Sequence, residues 1–445
     1  MGQHQGSRHD RRGKIGRRYL ACARSSRTGR RSARSGNSAR VKRATLIASS
    51  LLAALAAVLA ASPAVAAGCA SLEARYDITL LGHTFGAVQS PDGSAAFATV
   101  VTDKPTGASG IAVLQCSDGR YAFSRLIPLE PQPVSIIGTR DGSLLLVADD
   151  AFVSFLDETA AIAGKPAFLG YLQDTEGDPE DNDAGSVEVN IAPDDRFAFV
   201  ADESNNSITV IDIAKVRSDG FTRAAIVGQI PVANAPIALV FSHDGRYLFT
   251  TSEVALKKQN FPAACRQEGA GPNAPLTRPP GVIAAIDVGK AETDPEHSVV
   301  AQIPGDCSPV RMAISPNGNT LYVTNRNSNT VTAYSSARVI AGRSDALVAS
   351  VAVGSGPVAI ATTADGRFVL AGNTNRFGPG GTANGTISVI STATMKVVGS
   401  IPTGVFPREF SRGEGSTLFL SNNRSNTITV FDTSKMAQLM KPTSP

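Results

Sequence analysis

The fold of this chain is most constrained by a short pattern that it repeats. The best copy is residues 315–325, Ser-Pro-Asn-Gly-Asn-Thr-Leu-Tyr-Val-Thr-Asn, followed by the alternating segment 328–334. Leu, Tyr, Val and Thr favour strands, whereas the Pro-Asn-Gly before them and the Asn-rich run after them favour turns. The pattern therefore predicts a hairpin of two strands. The number and spacing of its copies decide what the hairpins can build.

Seven copies of this hairpin follow one another along the chain. The residue nine positions before the turn glycine, or its equivalent, marks each unit. These anchor residues are Thr84, Pro133, Ser186, Pro236, Pro309, Pro357 and Pro407. Their spacings are 49, 53, 50, 73, 48 and 50 residues, so only the fourth unit carries a large insertion, at 252–281.

Each unit predicts four short strands, and seven such antiparallel units specify an all-β, seven-bladed β-propeller. In the fifth unit the strands are expected at 310–315, 320–324, 330–334 and 347–353. The seventh unit lacks a fourth strand, which Tyr76–Leu81, before the first unit, can supply. Because this closure removes the open sheet edges, a ring is favoured over a stacked solenoid. We expect the propeller over 76–440, after a segment at 68–75 and before a tail at 441–445.

The repeat also carries a family resemblance. Residues 315–325, with the looser copies at 199–202 and 419–422, resemble the YVTN β-propeller repeat family of bacterial and archaeal extracellular proteins. The resemblance covers residues 76–436 and implies the propeller fold. It implies no single chemistry, since relatives include cell-surface propellers, lactonase-like hydrolases and quinoprotein-dehydrogenase-like chains. The absence of Trp argues against WD-type repeats.

Residues 1–67 have the pattern of a basic arm and a secretory signal peptide. The segment 44–67 is apolar, follows Lys42-Arg43 and ends in Ala-Val-Ala-Ala. The sequence therefore predicts a secreted or extracytoplasmic protein. Retention of the segment as a membrane anchor is the alternative, and Ala-Ala-Gly-Cys69 faintly resembles a lipid-attachment site.

The charge of the chain is divided between this arm and the rest. Residues 1–43 contain 14 Lys and Arg against Asp10, and removing this +13 from the +4 of the whole chain leaves −9. An acidic body argues against nucleic acid as a partner.

Four cysteines follow the leader, and an even number in an exported protein favours disulfides. In a propeller, the connections from second to third strand and from fourth strand to the next blade open on one face, called the top below. Cys265, in the insertion, and Cys307 both fall on the top, whereas Cys69 and Cys116 fall at the bottom, near the first blade. We therefore expect the pairs Cys265–Cys307 and Cys69–Cys116.

Charged residues stand out where the first strands enter the channel. Two positions after the anchors lie Gly86, Ser135, Glu188, Ala238, Arg311, Ala359 and Glu409. Together with Arg408, the residues Glu188, Arg311 and Glu409 are our candidate ligand-binding set. With His83 in place of Arg408, they form an alternative catalytic set. A third possibility is that Arg311 bridges the two glutamates and only lines the channel.

The loop at 174–183 concentrates six carboxylates in ten residues. Alternating oxygen ligands around a glycine suit Ca²⁺. The candidate ligands are Asp174, Glu176, Asp178, Asp181 and Asp183. A solvated acidic loop is the alternative, and no other cofactor is indicated.

Three functional hypotheses follow. The preferred one is an exported, monomeric binding protein, and not an enzyme, that engages a protein, a glycan or a small polar ligand at its top face and channel mouth. The second is a lactonase-like hydrolase that uses channel residues. The third is an accessory chain of a periplasmic quinoprotein system, although the sequence has no Cys-x-x-Cys-His haem motif.

Overall fold

In the computed structural model, the described residues are 69, 73–102, 107–130, 132–149, 151–174, 185–377 and 383–442. Of the two units into which the chain divides, Met1–Ala60 and Ala61–Pro445, they all belong to the second. They form seven sheets of four antiparallel strands, one of which carries a short fifth strand. The all-β, seven-bladed propeller is therefore confirmed. The leader predicted at 1–67 lies outside the described residues.

Strands β1 to β5 are Arg75–Thr79, Ala87–Gln89, Ala95–Val100, Gly110–Ser117 and Arg120–Pro128. Blade two contains β6 to β9, at Ser135–Gly138, Leu144–Asp149, Phe152–Asp157 and Phe168–Gln173. Blade three contains β10 to β13, at Ser186–Ile191, Phe197–Asp202, Ser207–Asp212 and Ile226–Pro231. Blade four contains β14 to β17, at Asn234–Phe241, Tyr247–Val254, Val282–Asp287 and Val299–Pro304.

Blade five contains β18 to β21, at Pro309–Ile314, Thr320–Asn325, Thr330–Ser335 and Leu347–Ala352, each within one residue of the sequence expectation. Blade six contains β22 to β25, at Pro357–Thr362, Phe368–Asn373, Asn384–Ser391 and Lys396–Val405. Blade seven contributes β26 to β28, at Pro407–Arg412, Thr417–Asn422 and Thr427–Asp432, and β29 is Lys441–Pro442.

The ring closes as the missing fourth strand predicts. β1 pairs antiparallel with β28, from Arg75 opposite Phe431 to Thr79 opposite Thr427, and so completes blade seven, while β2 to β5 form blade one. The segment expected as a tail behaves differently. β29 pairs with β25 and adds a fifth strand to the outer edge of blade six. Both chain ends of the propeller thus cover sheet edges.

Short helices connect the third and fourth strands in several blades. They are α1 at Glu158–Ala163, α2 at Ile213–Asp219, α3 at Val288–Ala291 and α4 at Ser336–Ile340, and α5 at Met436–Leu439 follows blade seven. Asp157, Asp212 and Asp287 each end a third strand and cap the following helix by accepting a backbone N–H. No helix in the described part of the chain is long and apolar enough to cross a membrane.

The core lies between neighbouring blades. Both faces of a second strand are covered, so β3, β7 and β11 are buried at every residue. The third residue of these strands is usually a large ring that packs between blades. Phe97, Phe199, Phe249, Tyr322 and Phe419 occupy this position, all almost completely buried. Burial of such rings is the main stabilising contribution of the repeat.

In blades one, four, five and seven, a hydroxyl near the end of the second strand joins the blade to the next. In blades two, three and six this position is held by Ala148, Ala201 and Gly372. Thr324, the threonine of the Tyr-Val-Thr-Asn stretch, accepts the backbone N–H of Arg311 at 3.2 Å and donates to the carbonyl of Val358 in blade six at 2.8 Å. Ser421 accepts the N–H of Glu409 at 3.1 Å and donates to Phe85 in blade one at 2.6 Å.

Thr251 and Thr99 make the same kind of contacts in blades four and one. In blades four, five and seven, the pairing of the first and second strands has an irregular register beside this hydroxyl. The hydroxyl therefore accepts a backbone N–H that the strand pairing leaves without a partner.

The asparagine of the same stretch acts within its own blade. The side-chain amide of Asn325 donates to the hydroxyls of Thr330 and Thr332 on the third strand, at 3.2 and 2.9 Å. Asn373 and Asn422 donate to the equivalent hydroxyl groups of blades six and seven. The Thr-Asn pair is therefore structural: one residue links blades and the other links strands.

Both predicted disulfides are confirmed, with Cα–Cα distances of 5.6 Å for Cys69–Cys116 and 5.5 Å for Cys265–Cys307. Two disulfides indicate an extracytoplasmic environment. Because the sulfur of Cys69 is bonded to Cys116, it offers no thiol for a lipid. The second disulfide joins the insertion to the connection between blades four and five.

Replacement of Thr324 by valine tests the link between blades. Valine keeps the shape but leaves the N–H of Arg311 and the carbonyl of Val358 without this partner, so we expect a loss of about 1–3 kcal/mol in the free energy of unfolding. Denaturant unfolding followed by circular dichroism would measure it. Thr222→Val, at an exposed threonine without a side-chain capping bond, is the control. Equal stability of the two variants would refute the role of the hydroxyl.

Candidate channel site and top rim

The first strands line a central channel, and three of the predicted charged residues meet in it. Neighbouring first strands contact each other around the whole ring, including β26 with β2. The channel contains a cavity of about 730 Å³. Glu188, Arg311 and Glu409 lie in its wall, on the first strands of blades three, five and seven. The wall continues to the bottom turns, where Arg140 and Glu414 also line it.

Arg311 bridges the two glutamates. Its Nη1 donates to Oε2 of Glu188 at 2.7 Å, and its Nη2 lies 2.6 Å from Oε2 of Glu409. The three side chains are only 9%, 15% and 10% exposed, respectively. The geometry is that of a buried charge bridge, which is costly to break from one side. Its wall position nevertheless leaves it in contact with the cavity.

The electrostatics of the bridge single out Glu409. Burial raises the pKa of Glu409 to about 7, with Glu188 adding to the rise and Arg311 and Arg408 opposing it. For Arg311, burial lowers the pKa, but Glu409 and Glu188 together hold it above its ordinary value, so it stays charged. The raised pKa of Glu409 places its change of charge near neutral pH.

Arg408 follows a different pattern from Arg311. Its guanidinium lies over the ring of Phe85, 4.5 Å from the centroid. Among the described residues no carboxylate lies within ion-pair distance of it, and its buried Nε has no hydrogen-bond partner. Burial, and then the charge of Arg311, lower the pKa of Arg408 to about 10, so it remains a cation at neutral pH. Stacking on Phe85 offsets part of the cost of burial.

Neither Arg408 nor His83 is part of the cavity wall. His83 instead lies on the connection into blade one. Its Nδ1 lies 3.1 Å from the carbonyl oxygen of Asn423, and its backbone pairs with Val101. The structure thus brings together Glu188, Arg311 and Glu409, places Arg408 among the charges that act on Glu409, and holds His83 on the connection into blade one.

A second charged cluster, which the sequence reasoning missed, lies at the top. Arg326 contacts Glu253 at 2.8 Å and Glu268 of the insertion at 2.6 and 2.9 Å. Asn327 donates to the carbonyl of Arg266 in the same insertion at 2.8 Å. These contacts, together with the disulfide, fasten the insertion across blade five.

A signal for this cluster was present in the repeat. The residue after the signature asparagine position differs in charge between blades, although the surrounding pattern is kept. The copies in blades three to seven are Glu203, Glu253, Arg326, Thr374 and Asn423. Comparison of these five residues distinguishes Arg326, which lies in the Asn-rich run that the sequence predicts as a turn.

Of the proposed calcium ligands, Asp174 is described. It is fully buried and accepts a hydrogen bond from Ser186 at 2.8 Å. Burial, and then the charge of Asp174, raise the pKa of Asp202, which shares the same serine. The other candidates, Glu176, Asp178, Asp181 and Asp183, lie outside the described residues, so the calcium site stays a prediction.

Replacement of Arg311 by methionine tests the charge bridge. The substitution leaves Glu188 and Glu409 buried without their counter-charge. We therefore expect the free energy of unfolding to fall by about 3–5 kcal/mol at pH 8. A carboxyl with a raised pKa contributes fully to stability below its unfolded-state pKa and loses that contribution as the pH rises through its folded value. Because Arg311 lowers the pKa of Glu409, its removal raises that pKa further. The loss in the free energy of unfolding should therefore be smaller at pH 5 than at pH 8, as measured by denaturant unfolding.

The matched control for this variant is Arg343→Met, because Arg343 pairs with Asp345 on the surface. It should change stability little at either pH. A loss in Arg311→Met that does not depend on pH would contradict the role assigned to the glutamates.

Comparison with known families supports the propeller fold and identifies a matching family. The family model described as lactonase, 7-bladed beta-propeller, matches residues 191–355 and 341–444, which together are more than half of the chain. No curated protein matches the chain.

Proposed function

The chain belongs to the lactonase, seven-bladed β-propeller family, and we propose that it is a secreted protein that binds a small organic anion at Arg408, beside the channel residue Glu409. The observation that carries the proposal is the state of Arg408: a half-buried cation whose Nε has no hydrogen-bond partner and which has no carboxylate at ion-pair distance among the described residues. A guanidinium in this state can hold a carboxylate through two parallel hydrogen bonds.

Glu409 would regulate this binding. With Glu188 and Glu409 both ionised, the bridge around Arg311 carries one net negative charge, which balances Arg408. Protonation of Glu409, whose pKa is about 7, removes that balance and leaves Arg408 to attract an anion. Binding should therefore strengthen as the pH falls from 8 to 6.

A hydrolase that opens lactones is the second candidate, and a specific observation favours it. A carboxyl with a pKa of about 7 is suited to general-base catalysis at neutral pH, and Arg408 could stabilise the developing oxyanion. In that reaction Glu409 would take a proton from water, and the water oxygen would attack the ester carbonyl. The ring C–O bond would then break, and the protonated Glu409 would return the proton to the leaving alkoxide oxygen. The product is a hydroxycarboxylate, which is the same class of anion as the proposed ligand.

The experiment compares gluconate as a ligand with δ-gluconolactone as a substrate, using the purified protein. We expect saturable calorimetric binding of gluconate, weakened at least about tenfold in Arg408→Gln, because a charge-assisted hydrogen bond contributes on the order of 1.5–3 kcal/mol. Arg246→Gln is the control, since Arg246 also lies over an aromatic ring, that of Tyr247, but on the exposed bottom face.

The pH arm separates the two candidates. If the protein only binds the anion, the pH dependence of gluconate binding should disappear in Glu409→Gln. If the wild type hydrolyses the lactone faster than buffer does and Glu409→Gln does not, the enzyme is favoured. Binding that is equal in the wild type, Arg408→Gln and Glu409→Gln would overturn the assignment of the site.

A further inference from the structure

The cavity of the channel begins at the level of the charge bridge and extends toward the bottom face. A first strand runs from a top connection to a bottom turn, so residues further from the anchor lie lower in the channel. In every blade the first residue that lines the cavity comes two or three positions after the anchor, from Ala87 in blade one to Glu409 in blade seven. The bridge around Arg311 therefore lies at the upper end of the cavity.

The layer above the bridge is almost entirely apolar. It contains the residue directly after the anchor in each blade, which is Arg408 in blade seven. In blades one to six these residues are Phe85, Val134, Val187, Ile237, Val310 and Val358. The last three form one buried apolar cluster, and none of the seven residues lines the cavity. The apolar layer and the bridge together close the cavity toward the top.

The other end of the cavity reaches the exposed bottom turns. Pro91, Arg140 and Glu414 line it there, and all three are exposed. From Arg311 to Ser315, at the bottom turn, a first strand advances by about 13 Å. The wall over this depth includes the half-exposed apolar side chains of Ile137, Val240, Ile314 and Phe410. The lower channel is thus a pocket that is closed at the bridge and has an apolar wall.

The charges of this pocket balance at its mouth but not at its closed end. The mouth has two cations and two anions, which are Arg140, Arg412, Asp195 and Glu414. At the closed end one guanidinium, that of Arg311, faces two glutamates. With both glutamates ionised, the closed end carries one excess negative charge. Arg408 acts on Glu409 from above, but among the described residues it makes no ion pair with either glutamate.

The bridge also leaves hydrogen-bond acceptors unused. Arg311 contacts Oε2 of Glu188 and Oε2 of Glu409. Within the part of the chain that the structure describes, Oε1 of each glutamate makes no hydrogen bond. Carboxylate oxygens make their strongest hydrogen bonds with charged N–H donors. An ammonium group at the closed end would satisfy both the acceptors and the excess charge, and an attached apolar group would contact the wall.

We propose that the lower channel is a ligand pocket for a primary amine with an apolar body, whose ammonium group binds Glu188 and Glu409. The charge of the closed end and the apolar wall together carry this proposal. The pocket lies below the bridge, whereas the anion site at Arg408 lies above it. The two sites can therefore be tested separately.

Titration calorimetry at constant ionic strength tests the proposal, with hexylamine as the probe and hexanol as its neutral counterpart. At pH 8 we expect saturable binding of hexylamine, at least about tenfold tighter than that of hexanol. Glu188→Gln keeps the shape of the side chain and removes its charge, so it should weaken hexylamine binding at least about tenfold. Circular dichroism verifies that the variant is folded, and the comparison of the two probes does not depend on it.

The pH dependence gives a second readout. An alkylammonium group, like that of lysine, stays charged between pH 6 and pH 8. Burial raises the pKa of Glu409 to about 7, so the excess negative charge forms as the pH rises through this value. Hexylamine binding should therefore strengthen by up to about tenfold from pH 6 to pH 8, which is opposite to the direction expected for gluconate. The dependence should be absent in Glu409→Gln.

Two controls separate this pocket from other carboxylates and from the anion site. Glu203→Gln removes a carboxylate of the same blade as Glu188, but on the top connection between its second and third strands, and should bind hexylamine as tightly as the wild type. Arg408→Gln should also still bind hexylamine, whether or not gluconate binds the protein. The proposal is wrong if hexylamine does not bind saturably, if hexanol binds equally well, or if Glu203→Gln weakens binding as much as Glu188→Gln.

Discussion

In blades one, four, five and seven, a single hydroxyl bonds to two neighbouring first strands at once. At the end of a second strand, Thr324 or Ser421 accepts an N–H from the first strand of its own blade and donates to the first strand of the next. The N–H groups it accepts belong to Arg311 and Glu409. The bond that joins neighbouring blades is therefore also the bond that fixes the backbone of the charged channel residues. A repeat signature that looks purely architectural thus positions the candidate site.

The charged residues of the channel lie at positions where the side chains differ between blades but the backbone does not. The backbone at the first strands is the same in most blades, so each side chain there is free to vary without a change of fold. Arg311 uses this freedom to bridge Glu188 and Glu409, and Arg408 remains as a cation stacked on Phe85.

The insertion of blade four adds a further layer. It is held by the Cys265–Cys307 disulfide, by the contacts of Glu268 with Arg326 and by the bond from Asn327 to the carbonyl of Arg266. Covalent and ionic contacts replace the core that a loop of this length cannot form for itself. These contacts fasten the insertion to blade five and place its Glu268 4.0 Å from Arg376 of blade six.

The sequence alone was sufficient for the blade count, the strand order, the closure by β1 and both disulfides, because period, turn residues and alternation are local properties that each copy repeats. It also pointed to Glu188, Arg311 and Glu409 as residues that differ between copies. Only the tertiary structure decided which of these charges meet, because they come from blades that are far apart in the chain and adjacent only across the channel. Their contact arises from the curvature of the ring, which no local pattern encodes.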